Sequence, residues 1–510
     1  MGVRVLDGAV HGCASMNPGK NRYADYPGAL DLEVDVCIIG AGAGGSSAAC
    51  AVAEAGKSVV VLEEGRHWNP GEFSPKSTWA FKNLYAGRGT RATRGNAIIP
   101  MPGGRGVGGS TLINSAICFR TPDVVLADWR ENRGCVHFTE EWMAACFDRI
   151  WATIGVGINP PEVQRLNNII FKKGVEALGL KGDWMARSAP GCVGCGTCQQ
   201  GCNSGGKNSI DRTFLTEALQ SGRVGVYADC RVDGVETDGG RVVAVTGRTI
   251  APPDYTDAGT FRVRAKQFIV SGGPIGSPRF LLKNGLSAGP VGENLHIHPT
   301  SGVLGRFDEE IRPWTGVSQG YYADCWDEGF LLQVFNMPPD QYYVGIQLPQ
   351  DVLLEAVKNL RYLGSAGIVV HDEDSTGSVT EDALLYSLGD GDRKKLLAGM
   401  RQAARVFFAA GAKKVIVGIR GVGWIESEAD IDRLVTDSIP AYNIGLYASH
   451  PMGTCRMGGP GAVVDAGGKV YGWENLYVAD ASVFPTSLGV NPQVTVMAIG
   501  LTVGREVGRA

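Results

Sequence analysis

Residues Asp35 to Gly65 read DVCIIGAGAGGSSAACAVAEAGKSVVVLEEG, and the rest of the chain is organised around them. Val36-Cys37-Ile38-Ile39 is an unbroken apolar run of the kind required by a parallel strand covered on both faces. A glycine turn follows, Gly40-Ala41-Gly42-Ala43-Gly44-Gly45. In such a turn Gly40 permits the sharp reversal, Gly42 lets backbone amides approach a pyrophosphate, and Gly45 lets the next helix pack on the strand. The small residues from Ser46 to Ala53 suit a helix seated closely on a sheet, its free N–H groups and dipole facing the phosphates. A second apolar strand, Val59 to Leu62, ends at Glu63, about 20 residues past the turn, the offset at which a carboxylate reaches ribose hydroxyls. Strand, turn, helix, strand and acid together predict an α/β fold with a Rossmann-like dinucleotide-binding domain.

The chain has 510 residues, room for about three average domains, or for fewer that interleave. Its 73 glycines lie among apolar strands rather than in low-complexity tracts, so they signal tight turns and close backbone approaches. A formal net charge of −4 leaves no basic stripe for nucleic acid and no polybasic membrane patch. No apolar run is long enough to span a bilayer, and the first residues lack the basic and apolar regions of a secretory signal, so a cytoplasmic protein is expected. Residues 1–33 are rich in Gly, Pro, Asn and Asp and are expected to be a surface arm. Arg66 to Pro102, irregular and rich in aromatics and arginines, has the texture of a cofactor lid.

A second glycine nest follows, Gly103-Gly104-Arg105-Gly106-Val107-Gly108-Gly109-Ser110-Thr111-Leu112-Ile113-Asn114. Two such nests so close together imply one extended ligand, and a flavin dinucleotide fits better than NAD because its ring needs a clamp far from the pyrophosphate turn. Here the sequence resembles the glucose-methanol-choline (GMC) oxidoreductase family, whose first signature is similar to Gly-Arg-x-x-Gly-Gly-Ser-x-x-x-Asn. The resemblance implies FAD contacts at Arg105, Gly108, Gly109, Ser110 and Asn114, beside those at Gly40, Gly42, Gly45 and Glu63.

Asp123 to Ala186 reads as mostly helical packing elements, with Pro160-Pro161 as a break. Cys192, Cys195, Cys198 and Cys202 then form a Cys-x2-Cys-x2-Cys-x3-Cys run with glycines between, the local spacing that wraps an iron–sulfur cluster. Asn203 stands where the ferredoxin run has proline, and many flavoproteins resembling this family carry a similar stretch with a downstream Lys, here Lys207. Iron–sulfur ligation, a thiol-lined or disulfide-closed loop, and zinc all remain readings of this segment.

Beyond Ser209, strands are expected over Val224 to Cys230 and Arg241 to Val245. A hairpin turning at Asp238-Gly239-Gly240 reads as an edge ribbon. The resemblance puts the backbone of Val232 against adenine. Phe268-Ile269-Val270 runs into Ser271-Gly272-Gly273-Pro274-Ile275-Gly276-Ser277-Pro278, which resembles the second GMC signature. Gly292-Glu293-Asn294-Leu295-His296-Ile297-His298-Pro299 is similar to the family's Gly-x-Asn-Leu-x-Asp-His-Pro, with Ile297 in place of Asp. The spacing of His296 and His298 would allow metal ligation, but in this context both read as structural. Residues 300–440 show strand-like segments at Phe330 to Phe335, Tyr342 to Gln347 and Gly367 to Val370, and an amphipathic helix N-capped by Asp392. The acidic His371-Asp372-Glu373-Asp374 reads as a solvated turn.

The chemistry gathers near the C-terminus. Ser449-His450-Pro451-Met452-Gly453-Thr454-Cys455-Arg456-Met457-Gly458 resembles the GMC His-x-x-Gly-Thr-x-x-Met-Gly, which implies a catalytic His450. Asn475 to Pro485 resembles the strand and turn beneath the flavin, with Asp480 and Ala481 near its phosphates and ring. Gly489-Val490-Asn491-Pro492-Gln493-Val494-Thr495 opens a last helix, Pro492 and Gln493 at the N-terminus that would face the ring. Asn491 takes the position of the family's second catalytic residue, and Asn-Pro-x-Val-Thr is most like the form in cholesterol oxidase and its relatives.

The resemblance implies FAD-dependent oxidation of a small-molecule alcohol to a carbonyl by hydride transfer to flavin. His450 is then the general base, and Asn491 positions the substrate oxygen. Electrons would leave to dioxygen or to an external acceptor, the latter through a cluster if one is present. A redox-neutral flavoprotein lyase on the same scaffold is the alternative, and a nicotinamide dehydrogenase stands behind both. The expected organisation is an arm over 1–30, a discontinuous FAD-binding domain over 31–115, 205–300 and 441–510, and an interleaved substrate domain over 116–204 and 301–440. That second domain is built on an antiparallel sheet with helices.

Overall fold

The computed structural model describes residues 16–26, 29–252, 255–286, 289–336, 338–341 and 348–510. Two sheets carry the architecture. In the first, Gly19–Asn21, Val224–Tyr227, Val59–Leu62, Leu30–Ile39 and Thr256–Val270 lie side by side, all parallel. Arg241–Ala251 and Cys230–Asp238 continue the sheet antiparallel to its edge, and Leu476–Val478 adds a short parallel strand beside the end of Thr256–Val270. The strands expected around the glycine turn are in place, their residues Val36, Cys37, Ile38 and Val59 to Leu62 buried. The region predicted as a surface arm is partly sheet, because Gly19–Asn21 finds an open parallel edge at Val224–Tyr227 and the first long strand begins at Leu30. Residues 1–15 of that arm lie outside the described residues.

Helix Ala43–Glu54 crosses one face of this sheet and packs along helix Gln493–Arg509. The contact is built from small residues. A Cβ at Gly500 would strike the Gly44 carbonyl, and one at Gly504 would lie 2.7 Å from the Ala48 oxygen. Backbone-to-backbone approach of this closeness is open only to glycine.

The second sheet is wholly antiparallel, in the order Lys414–Val417, Thr300–Arg306, Leu363–Val370, Phe330–Val334, Tyr321–Cys325, Gly182–Trp184. Helices Pro161–Ala177 and Asp390–Ala410 cover it, and Phe171, Phe407, Leu396, Met400 and Ile368 share its core. Helix Asp390–Ala410 starts two residues before the expected cap. Gly389 is its N-cap, and Asp392 sits in the first turn, buried. Its carboxylate instead accepts the N–H groups of Glu373, Asp374 and Ser375 and the Ser375 hydroxyl. A carboxylate near a helix N-terminus serves equally well as a staple for a neighbouring loop whose own N–H groups need acceptors. The strand expected over Tyr342 to Gln347 lies outside the described residues. Among the described residues no helix is long and apolar enough to cross a membrane.

Gly504→Leu tests the small-residue contact. Forcing a side chain between the two helices is expected to cost about 1–3 kcal/mol, read as a lower urea midpoint with an unchanged slope.

Candidate active site

One long cavity of about 760 Å³ runs between the two sheets. Gly40, Gly42, Glu63 and Val232 line one part of it. Gly109, Ser110, Asn114, Asp480 and Ala481 line its flank, and His450, Asn491, Pro492 and Gln493 line the part beneath the antiparallel sheet. Residues hundreds of positions apart thus face one volume.

The parallel strands deliver the turn. Gly40 has φ 107°, and a Cβ there would strike the Ser271 carbonyl, so the first glycine turn and the 271–277 turn meet at a point where only glycine fits. Glu63, at the end of Val59–Leu62, is 7% exposed. Its carboxylate accepts the N–H groups of Ala41 at 3.0 Å, Gly65 at 2.9 Å and Gly106 at 3.1 Å. Burial and the neighbouring Glu64 push this carboxyl up to about 7, and the three N–H donors pull against them. Glu63 therefore holds both glycine segments as well as lining the cavity. Asp480 does the same on the other side, accepting the Gly273 N–H, the Ser277 hydroxyl and the Ser482 N–H. Asn114 donates to Gln493, whose amide also donates to the Ile117 carbonyl, tying the second nest to the last helix.

Three of the expected cofactor residues stand back from the cavity. Gly45 lies under the first turn, where a Cβ would strike the Gly40 carbonyl. Gly108, φ 117°, opens the short helix Gly109–Leu112. The Arg105 guanidinium stacks 4.8 Å from the Tyr255 ring and donates to the Glu64 carbonyl.

At the other end, His450 Nε2 is 3.2 Å from Asn491 Nδ2, and Asn491 Oδ1 accepts from Gln333 Nε2 at 2.8 Å. His450 Nδ1 is 3.2 Å from Nδ1 of His298, a wholly buried ring whose Nε2 accepts the Gly489 N–H at 2.9 Å. Reciprocal backbone hydrogen bonds between His296 and Met452 bring these segments together. Burial pushes His450 down to about 4 against the pull of the Asp372 carboxylate, and pushes His298 well below its ordinary value.

The acidic run His371 to Asp374 is not a solvated turn at its key position. Asp372 is wholly buried. Its carboxylate accepts the N–H groups of Ile297 and His298 and the hydroxyls of Tyr386 and Ser487, and it faces His296 Nδ1 at 3.7 Å. Burial pushes this carboxyl up, but His296 above all, with His298 and the Ser487 hydroxyl, holds it well below the usual carboxylate range. Sequence reading missed Asp372 and Gln333 because charge patterning reports composition and not which strand end a loop meets. His298 passed as structural, and the signals for it were its place in the run resembling Asp-His-Pro and its alternation with His296 just before a strand. Among the described residues no group of three or more His, Cys, Asp or Glu side chains is arranged to hold a metal ion.

That statement includes Cys192, Cys195, Cys198 and Cys202, which are free thiols. Cationic groups contact them. Arg187 donates to Cys192 at 3.7 Å and to Cys198 at 3.4 Å, while buried Lys207 donates to the carbonyls of Leu112, Asn114 and Cys198. All four line one small pocket whose water-accessible space, as the side chains stand, is about 10 Å³, room for about one water. No iron–sulfur cluster is shown, and as placed the segment is a loop braced by buried Arg187 and Lys207 against the second glycine nest.

Two GMC oxidoreductase family models match residues 81–300 and 368–500, and an FAD binding domain model matches residues 35–77. An uncharacterised GMC-type oxidoreductase of Mycobacterium tuberculosis is 32% identical over 493 residues, 95% of this chain and 77% of that protein. A long-chain-alcohol oxidase of Arabidopsis thaliana is 28% identical, over 94% of this chain and 69% of that one. A cholesterol oxidase of Acinetobacter baumannii, the branch suggested by the Asn-Pro-x-Val-Thr motif, is a more distant match at 22% over 92% and 93%. The solved structure of pyridoxine 4-oxidase from Mesorbium loti superposes with a TM-score of 0.70 at 18% identity, over 92% of this chain and 98% of that one, which shows a shared fold. The residues present fit FAD. The place of a Cβ on Gly42 is free except for the Gly109 Cα at 3.9 Å, so the two glycine turns leave a cradle that any side chain would enter.

Glu63→Gln would set an NH2 group against one of the three N–H donors. It is expected to cost about 1–3 kcal/mol of stability, measured by chemical denaturation. Iron and labile-sulfide assays on anaerobically purified protein are expected to find neither.

Proposed function

Because this chain belongs to the GMC oxidoreductase family, we propose that it oxidises the hydroxyl of an alcohol carrying an apolar chain, with His450 and Asn491 at the reacting oxygen. The chain is an FAD-dependent oxidoreductase acting on CH–OH groups. The observation that carries the finer reading is the 3.2 Å pairing of His450 with Asn491 in the same cavity that the two glycine turns line. When bound, FAD supplies the hydride acceptor.

The protein's part is positional and protonic. The neutral imidazole of His450 takes the hydroxyl proton. The Asn491 side chain, held by Gln333, positions the substrate oxygen and fixes the direction of the carbinol C–H. The N-terminus of helix Gln493–Arg509 adds positive potential at the same end of the cavity. Leu304, Ala366, Val369, Ile416 and Leu446 form the wall beyond His450, which favours an apolar substituent over a polar one. The Arabidopsis relative's name, a long-chain-alcohol oxidase, points the same way and makes dioxygen the acceptor in this reading. The division into a discontinuous cofactor domain over 31–115, 205–300 and 441–510 and a substrate domain over 116–204 and 301–440 belongs to the same proposal.

Anaerobic flavin reduction by a series of primary alcohols of increasing chain length tests it. Rates are expected to rise with chain length and to fall by about 100-fold or more in His450→Ala. A base works above its own pKa, and His450 is pushed down to about 4. The wild-type rate is therefore expected to show no acid limb between about pH 5.5 and 8. Undiminished reduction in His450→Ala would defeat the assignment.

A further inference from the structure

The proposed base chemistry turns on one proton: whether His450 Nε2 holds a lone pair or an N–H. The answer lies behind His450. His298 is wholly buried, and its φ of 52° lies in the left-handed region, which a non-glycine residue keeps only where its surroundings hold it. Asp372 does the holding, accepting the His298 N–H at 3.3 Å and the Ile297 N–H at 2.9 Å while Ser487 and Tyr386 anchor the carboxylate. The imidazole is thereby fixed between two partners, with the Gly489 N–H 2.9 Å from Nε2 and His450 Nδ1 3.2 Å from its own Nδ1. The two rings stand 80° apart with centroids separated by 5.2 Å.

A backbone N–H can only donate, so Nε2 of His298 is an acceptor. A neutral imidazole has one N–H, which must then be on Nδ1, aimed at His450. Nδ1 of His450 accepts it, and the proton of His450 is left on Nε2. We propose that His298 is a positioning residue that fixes resting His450 as its Nε2–H tautomer through this Nδ1-to-Nδ1 hydrogen bond. The cationic form of either ring is disfavoured by the same geometry, since a third proton would set two donors face to face, either between the Nδ1 atoms or against Gly489. Burial lowers both imidazoles in the same direction. Beyond the pair, Asn491 accepts from His450 through Oδ1 and Gln333 presents Oε1 to Asn491. That turns three amides end for end, Asn491, Gln333 and Gln319, whose Nε2 lies 3.5 Å from Gln333 Oε1, exchanging N and O without displacing any side chain.

This deepens the general-base reading and rests on it for its catalytic meaning. When an alcohol binds, the same Nε2–H can turn from Asn491 to the alcohol oxygen, a contact that strengthens as that oxygen becomes an alkoxide, so the site is complementary to the charge that develops. His450 Nε2 can accept the hydroxyl proton only in the other neutral form of the pair, with the His450 proton on Nδ1 and the His298 proton on Nε2, where it opposes the Gly489 N–H. His298 thus governs how readily His450 becomes a base.

Long-range proton–nitrogen NMR of the flavin-bound enzyme, with its seven histidines labelled with nitrogen-15 and without substrate, reads the tautomers directly. His450→Gln and His298→Phe assign the two signals. The expected result is Nε2–H for His450 and Nδ1–H for His298, and in His298→Phe a His450 signal averaged between both tautomers. A wild-type His450 found as Nδ1–H or as imidazolium overturns the proposal, and so does an unchanged Nε2–H signal in His298→Phe, the outcome expected of a merely structural ring. The wild-type spectrum decides the matter if His298→Phe does not fold. No turnover is needed, so an enzyme that no alcohol reduces would defeat the base reading while leaving this result to stand or fall on the spectrum.

Discussion

The carboxylate of Glu63 accepts three backbone N–H groups, one from the first glycine turn, one from its own strand end and one from the second glycine nest. Glycine segments have little with which to hold themselves together, since they carry no side chains to pack and lose the most freedom on ordering. One buried anion at the end of a parallel strand supplies what they lack. It converts two flexible stretches, one on either side of helix Ala43–Glu54 and strand Val59–Leu62, into a single rigid wall. The role expected of Glu63 from its offset, toward a ribose, does not conflict with this, because a carboxylate has about four lone-pair positions and three are accounted for.

Asp372 repeats the device beneath the second sheet. Two N–H groups, two hydroxyls and a nearby imidazole surround it, which is how a buried carboxylate stays ionised. The two anions differ in consequence. Glu63 shapes the cradle, whereas Asp372 holds the segment that carries His298 and so reaches His450 at second hand. Asp480 and Asp392 are variations, each fastening a loop to a helix or turn by accepting N–H groups. In this fold the buried acids act mainly as acceptors for loop backbone, which a chain with this many glycine turns needs in quantity.

The legible parts of the sequence were those in which function depends on local covalent order. A strand, a glycine turn and a following helix are contiguous, so Val36 to Gly45 could be read from periodicity and residue size alone, and the motifs around His450 and Asn491 were recognisable as short ordered runs. Pairings across the chain were not. The strand Gly19–Asn21 is three residues long and gains its identity only from an edge at Val224–Tyr227. Asp372 reads as solvent-facing in a run of four charged or polar residues, and it becomes buried because Ser487, Tyr386 and the 296–298 segment converge on it from three other places. The cysteine run shows a different limit, in which local spacing admits a cluster, a thiol loop or zinc, while the partners set beside it, Arg187 and Lys207, come from outside the run.

The small-residue seam between Ala43–Glu54 and Gln493–Arg509 bears on how the protein comes to be folded. The helix that follows the first glycine turn emerges from the ribosome early, yet the groove that takes its alanine face is made several hundred residues later. Until then this helix offers a flat, nearly featureless apolar strip, and its partner strands have only some of their neighbours. Contacts so distant along the chain must wait for loop closure and are slow to form. A unit synthesised several hundred residues before its partner helix is therefore among the last to be finished, and the nascent chain is open to aggregation throughout that interval.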